Sequence, residues 1–353
     1  MEFSKPRREC REVNVGGVKI GGGAPIVIQS MLNALSSDIE GNIAQAKALE
    51  AAGCQIIRIA ISNKEDIDLI YALKEAVSTP LVADIHFDYR IALASIDAGI
   101  DKVRINPGHI GARENVEAVV DACKRRGVPI RIGVNSGSVE RDLLEKYGGP
   151  TPEAMAQSAL NHAKILEDCD FYDTVISIKS SDVRNTINAY RIVAKECDYP
   201  LHLGVTEAGT AYNGLIKSSI GIGSLLADGI GDTIRVSLTA DPVEEIRAAH
   251  DILKCLDLIE NEAQLISCPT CGRTQIDLIS IAAEVESRLR NVHKPIRVAV
   301  MGCPVNGPGE AKNADIGIAG GKGCGLIFKK GEIVKKVPEE QLIDELFAEI
   351  ERL

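Results

Sequence analysis

The sequence predicts an α/β fold, a TIM (β/α)8 barrel followed by a smaller α+β domain, and three observations carry that expectation. From residue 25 to about residue 255, short β-branched runs alternate with amphipathic segments of ten to fifteen residues. That alternation is the pattern of parallel strands joined by right-handed helical crossovers. Eight such units occupy this span, which matches the count and size of a TIM barrel. After Cys255 the rhythm breaks and a different mixture of elements follows.

The strands are read in order from "PIVIQSM", "IIRIAI", "PLVADI", "KVRINP", "PIRIGVN", "TVISIKS", "PLHLGVTE" and "TIRVSL". Between them stand helical patterns such as "IEGNIAQAKALEAAG", "ENVEAVVDACKRRG" and "PVEEIRAAHDILKCL". Several of the helical patterns open on Asp, Pro or Ser and close on Gly, as helix caps do. The competing architecture is an open doubly wound sheet. A Gly-rich dinucleotide turn would favour it, and the chain contains neither G-x-G-x-x-G nor a Walker-type loop. The barrel is placed at 1–257, with "LDLIENEAQ" as the linker, and the second domain at 258–353. That domain is read from "QLISCPTCGR", a helix near 277–290, "IRVAVMGC", "ADIGIAGG", "GLIFKKGEIVKKV" and a terminal helix "EEQLIDELFAEIERL".

Composition narrows the function classes. A hydrophobic fraction of 45% and a charged fraction of 25% are ordinary for a globular protein. A net charge of -10 argues against a general nucleic-acid binder, which carries a basic patch. "MEFSKPRREC" lacks the apolar run of a signal peptide, and no segment approaches the roughly 18 apolar residues of a membrane span, so a cytoplasmic location is expected. Ten cysteines in 353 residues are too sparse for a disulfide scaffold. Cys10, Cys54, Cys123, Cys169, Cys197 and Cys255 are expected to be small buried hydrophobes. His162, His250 and His293 fall in helical or linker-like sequence and are expected to face solvent.

The predicted barrel strands carry an oddity. Arg58, Arg104, Arg131 and Arg235 sit inside apolar runs, and Lys179 falls near the end of another. Asn106, Ser237 and Ser177 stand two positions from Arg104, Arg235 and Lys179, and Asn135 four positions from Arg131, hence each on the same strand face as its cation. One face of a barrel strand looks inward, and active sites sit at its C-terminal end. Five converging cations repel one another unless neutralised. One explanation is a buried salt-bridge network with Asp84 and Glu207. The other, favoured because so few carboxylates cannot balance five cations, is a site for a multiply charged anion such as a diphosphate. Asp84 and His86 share strand parity and are candidate acid, base or orienting groups; Glu207, ending the seventh strand, is a candidate general acid. His202 and Thr206 have the other parity, so a bend is needed for all of them to reach one cavity. Lys179 also admits a Schiff-base reading.

Cys268 and Cys271 form a C-x-x-C, and Cys303 supplies a third thiol beside a Gly/Pro-rich turn. Structural zinc takes a fourth Cys or His, for which Cys324 and His293 are the candidates. Glu310 in "CPVNGPGE" is the other option. A carboxylate holds iron less firmly than thiolate does, which would leave one iron open to substrate.

These residues reach a family. "QSM", "VADIHFDYRIAL", "RINPG", "RIGVNSGS", "LHLGVTEAG", "KSSIGIG", "GIGDTIRVSL", "CPTCGR" and "GCPVNGPGE" closely resemble the 4-hydroxy-3-methylbut-2-enyl diphosphate synthases, the IspG or GcpE family, over nearly the whole chain. The resemblance implies the bacterial two-domain form, a TIM barrel plus an iron–sulfur domain. It implies a 4Fe–4S cluster on Cys268, Cys271 and Cys303 with Glu310 as fourth ligand. The implied substrate is 2-C-methyl-D-erythritol 2,4-cyclodiphosphate of the non-mevalonate isoprenoid pathway, opened reductively with loss of a hydroxyl as water. By motif position Arg58, Arg104, Arg131, Lys179, Arg235 and Ser237 look like the diphosphate clamp. Asn135 and Asn306 resemble further substrate contacts, and Glu207 resembles the acid near the departing hydroxyl. Reduced ferredoxin or flavodoxin as electron donor, and a homodimer sharing its active site between subunits, are also implied. Two departures stand out: Leu32 and Ala34 replace the family's two threonines after "QSM", and His109 takes an asparagine position. The rival reading is a barrel aldolase or pterin-type synthase with a zinc-stapled tail.

Overall fold

The computed structural model describes residues 6–304 and 311–353. The chain divides into two compact units, Met1–Leu258 and Ile259–Leu353.

The first unit begins with an element the strand reading passed over. β1 (Glu12–Val15) and β2 (Val18–Gly21) pair antiparallel as a hairpin, with Val15 opposite Val18. Its signal was present, since Val13, Val15, Val18 and Ile20 alternate around a Gly-Gly turn. Eight parallel strands follow: β3 (Val27–Met31), β4 (Ile56–Ala60), β5 (Leu81–Asp84), β6 (Lys102–Ile105), β7 (Ile130–Asn135), β8 (Thr174–Lys179), β9 (His202–Leu203) and β10 (Thr233–Ile234). Their order in the sheet is β8-β7-β6-β5-β4-β3-β10-β9. A parallel bridge between Ile176 and Leu201 joins the two ends and closes the barrel. The predicted eight strands and their α/β alternation are all present, although β9 and β10 shrink to two residues each.

The crossover helices start where the sequence signals them. Asp38, Asp182 and Asp241 accept hydrogen bonds from the first-turn amides of Ile39–Ala51, Val183–Glu196 and Pro242–Cys255. Thr151 caps Pro152–Glu167, and Gly127 ends Arg113–Arg126 in the left-handed conformation.

Register sorts the strand residues. Ile28, Ile57, Ile105 and Ile132 belong to the outward set, under the helices, and are buried. The inward set starts at the N-terminal end with Val27, Ile56, Val82 and Val175, which form one apolar cluster with Val13, Val15 and Ile20 of the hairpin. The hairpin thus plugs that end of the barrel. Function is left to the other end.

In the second unit, β11 (Gln264–Ser267), β12 (Arg297–Met301), β13 (Ile316–Gly321), β14 (Cys324–Lys329) and β15 (Glu332–Pro338) form one sheet in that order. The first three are parallel and the last two antiparallel. Helices Leu278–Leu289 and Leu342–Glu351 cover one face, packing Val285, Leu289, Leu342 and Leu346 onto Val298, Val300 and Ile318. On the other face Ala299, Met301, Ala319 and Phe328 gather with Ala311 and Ala314. Among the described residues no helix is long and apolar enough to cross a membrane.

Of the cysteines expected to be buried, Cys54 and Cys123 are; Cys10, Cys169 and Cys197 are half-buried and Cys255 is exposed on its helix end. His162 does not face solvent: it is buried 2.7 Å from Glu140, its Nε2 facing Oε1. His250 is half-buried, and His293 is exposed.

Candidate functional site

The inward face changes character along its length. Above the valine plug it becomes polar, and at the C-terminal end it is lined by Arg58, Arg104, Arg131, Lys179 and Arg235, together with His86, Asn135 and Ser237, around a cavity of about 140 Å³. Strand register explains the convergence. Arg104 pairs with Arg131 across β6 and β7, and Asn135 pairs with Lys179 across β7 and β8. In-register neighbours of a parallel sheet point to the same side. Thr206 joins the same lining. His202 and Thr206 are therefore the inward set of the seventh barrel strand. Glu207 adopts a left-handed φ of 51°, is exposed, and does not line the cavity. A non-glycine residue held there marks a strained turn.

Among the described residues, two carboxylates reach three of these five cations. Asp84 bonds Arg58, accepts from Arg104 Nη1 at 3.0 Å, and lies 3.3 Å from His86 Nε2. Burial alone would raise its pKa, but Arg58, the His86 hydrogen bond and Arg104 hold it well below the ordinary carboxylate range. Glu245, on the helix Pro242–Cys255, takes Arg235 Nε and Nη2 at 3.3 Å each. It also accepts from the Ser30 hydroxyl at 2.8 Å and from Leu238 N at 3.0 Å. Glu207, which the less favoured salt-bridge explanation set beside Asp84, takes no part in this network, and Glu245 does. Sequence reading missed Glu245 because only the chain's return path brings a helix residue to β10.

Among the described residues, Arg131 and Lys179 have no carboxylate partner. Arg131 is 1% exposed and its Nε and Nη2 find no partner among the described residues. Burial, then Arg58 and Arg104, act against its charge, yet guanidinium keeps its proton in proteins, so the effect is stored electrostatic cost. Lys179 is pushed well below its ordinary value by burial and then by Arg235, Arg131, Arg58 and Arg104. An arriving anion relieves both.

Two glycines make room. A Cβ on Gly133 would lie 2.2 Å from Arg104 Nε, and one on Gly204 would lie 2.8 Å from Lys179 Nζ. Both occupy inward positions, so the cations occupy space that any other side chain would fill. Met31 contributes its sulfur, 3.7 Å from Arg235 Nη1. Leu32 is buried and lines none of the cavity, and exposed His109 stacks on Phe87 with centroids 6.3 Å apart.

Replacing Asp84 by Asn strands Arg58 and Arg104 together, and an unfolding free-energy loss of about 3–5 kcal/mol is expected. Because the folded pKa of Asp84 is depressed, its contribution is complete above about pH 4 and disappears as pH falls through the folded value. Denaturation of both proteins across acid pH checks this: an Asp84→Asn protein as stable as the parent would refute the network.

In the second unit, Cys268 follows β11 and Cys303 follows β12, parallel neighbours with Ser267 opposite Val300. Gly302 N donates to Cys268 Sγ at 3.2 Å, and Cys303 is buried. Cys271 lies on the turn between, its amide 3.2 Å from Thr274 Oγ1 and its thiol pKa lowered chiefly by hydrogen bonds from Arg273. Three thiols, those of Cys268 and Cys271 supported by amide donors, are the donor chemistry of a thiophilic metal centre. Among the described residues no group of three or more His, Cys, Asp or Glu side chains is arranged to hold a metal ion. Asn306 and Glu310 lie outside the described residues.

Comparison with known proteins meets both units. A family model described as the GcpE TIM-barrel domain matches residues 10–250, and one described as the GcpE protein C-terminal domain matches 264–352. The chain is 60% identical to the 4-hydroxy-3-methylbut-2-en-1-yl diphosphate synthase (flavodoxin) of Clostridium perfringens, covering 98% of this chain and 99% of that one. The protein of the same name from Geobacillus thermodenitrificans is 57% identical, with 98% and 93% covered. Among solved structures, dihydropteroate synthase from Stenotrophomonas maltophilia is 15% identical, covers 72% of this chain and 97% of that chain, and superposes with a TM-score of 0.51. That likeness shows the barrel fold alone. The two matched domains, and an identity above half over nearly the full length of each relative, place the chain in the GcpE family.

Proposed function

We propose that the chain catalyses the reductive ring opening and dehydroxylation of 2-C-methyl-D-erythritol 2,4-cyclodiphosphate to 4-hydroxy-3-methylbut-2-enyl diphosphate, in the non-mevalonate isoprenoid pathway. It is an oxidoreductase. The observation that carries this reading is the cavity of five inward cations, two of them without a carboxylate partner among the described residues, in a chain whose curated relatives bear that enzyme's name. The aldolase or pterin-synthase alternative is not favoured by those relatives.

The cyclic substrate carries one anionic oxygen on each phosphate. Arg131 and Lys179 supply the uncompensated charge to bind them, while Asp84 and Glu245 hold Arg58, Arg104 and Arg235 in fixed orientations. Asn135 and Ser237 offer neutral hydrogen bonds at the rim, and Asn306 is assigned a further contact. His86, steadied by Asp84, stands where it can orient a hydroxyl. Asp84 itself is a permanent carboxylate and acts by positioning. Glu207, strained and exposed beside the mouth, is assigned the proton delivered to the departing hydroxyl. The balance is two electrons and two protons taken up, one water released and a C=C bond formed.

Cys268, Cys271, Cys303 and Glu310 are assigned as holders of a 4Fe–4S cluster. Bound there, such a cluster supplies single electrons and, at the iron without a thiolate, a Lewis acid. Reduced flavodoxin or ferredoxin is assigned as the donor; flavodoxin appears in the relatives' printed name. A cytoplasmic homodimer that shares its active site between subunits belongs to the same proposal.

Anaerobic iron and sulfide analysis followed by dithionite-driven turnover of the cyclic diphosphate tests it. About four irons per chain and formation of the linear diphosphate are expected. Stoichiometric zinc with no turnover would overturn the assignment.

A further inference from the structure

Beneath the clamp the barrel holds a second polar layer. Two residues below Met31, Arg104, Gly204 and Arg235, on the same inward face of β3, β6, β9 and β10, stand Gln29, Lys102, His202 and Thr233. None is more than 1% exposed. His202 Nδ1 lies 3.3 Å from Thr233 Oγ1. Otherwise the layer is unanswered: among the described residues Lys102 Nζ, His202 Nε2 and both amide atoms of Gln29 have no hydrogen-bond partner. Below it lies the apolar cluster of strand and hairpin residues. Buried polar atoms without partners are rare, and each calls for a reason. If the position only needed filling, a leucine would do so without the cost of an unpaired amine.

We infer that Lys102 is a proton-accepting member of the anion site, a neutral amine while the cavity is empty and an ammonium once a cyclic diphosphate sits among the cations above it. The inference rests on reading that cavity as a diphosphate site. Its surroundings set the direction. Arg131 acts on it from β7 and Arg58 from β4, Arg104 stands two residues above on its own strand, and Lys179 and Arg235 line the cavity above. Asp84 on β5 is engaged by Arg58 and Arg104, and His202 on β9 is the other titratable neighbour. Burial first, and then Arg131 and Arg58, disfavour the ammonium. Two negative charges bound to the same arginines reverse that balance. The proton comes from solvent and adds to the amine nitrogen; no bond breaks in the ligand and no electron moves. The diphosphate's own anionic oxygens titrate far below neutrality, so they do not compete for it.

The test is calorimetric titration of the cluster-loaded enzyme with 2-C-methyl-D-erythritol 2,4-cyclodiphosphate, without reductant, at pH 8 in buffers of differing ionisation enthalpy. The parent enzyme is expected to show uptake of about one proton per site. In Lys102→Met the uptake should fall below half of that, with binding still measurable. Zero uptake by the parent, or undiminished uptake by Lys102→Met, overturns the inference while leaving the diphosphate site standing. Failure of the parent to bind at all overturns the diphosphate site itself. Should Lys102→Met not fold, Lys102→Gln replaces it, and the parent's affinity is followed from pH 7 to pH 9. Uptake requires binding to weaken with pH, by up to about tenfold per unit; constant affinity counts against it.

Discussion

Arg131→Met should bind the cyclic diphosphate poorly yet unfold at a higher temperature than the parent. The two effects have one cause. Arg131 is almost fully buried, has no carboxylate partner among the described residues, and faces Arg58 and Arg104, so the folded protein without substrate bears its desolvation and repulsion uncompensated. An apolar side chain of similar length removes that cost, and a gain of about 1 kcal/mol or more is expected. The phosphate then loses a charge-assisted contact inside a dry cavity, and kcat/KM should fall roughly 30- to 5,000-fold, the equivalent of about 2–5 kcal/mol. Chemical denaturation and steady-state kinetics on one preparation decide the matter. A residue serving only as scaffold would show the reverse, lower stability with unchanged kcat/KM, and that outcome would end the clamp reading.

Cys303→Ser should lose iron and activity together. Cys303 is buried at the end of β12, beside the strand that leads to Cys268, so an alternative ligand cannot replace it without moving the sheet. Altering groups that merely support a metal ligand costs roughly 10–100-fold in affinity or activity, and removing a ligand should exceed that. Iron per chain and the visible absorption of the anaerobic protein give a readout independent of turnover. Glu310→Ala is expected to keep much of the colour while losing most of the rate, because three thiolates still hold the metal. Full iron and full activity in Cys303→Ser would remove the thiolate assignment.

How far this could be read from residues alone varies along the chain. Strand order and barrel closure followed from alternation, because eight β-branched runs separated by helical patterns have few other ways to bury both faces. The five cations were legible as anomalies in apolar runs, and parity two was enough to place Arg104 with Asn106, and Arg131 with Asn135, on one side. Glu245 was not legible, since it lies on the outer helix Pro242–Cys255 and meets Arg235 only through the fold's closure. Residue parity left open whether His202 and Thr206 or Glu207 face inward; Thr206 lines the cavity, and Glu207 follows it on the other side with a left-handed φ. His162 was expected in solvent for a related reason. A helix pattern does not show that Glu140 will arrive from a preceding loop to bury it.

By itself the sequence determined the two-part architecture, the inward row of cations and the thiols of the second unit. All three depend on local order and residue type, which the chain carries wherever it goes. Only the tertiary structure decided which cations are answered by a carboxylate. It also decided which glycines give them space, and that a lysine amine and one ring nitrogen of a histidine lie one layer down without a partner among the described residues. Charge compensation is a property of distances between distant segments, and those distances exist only after the barrel has closed.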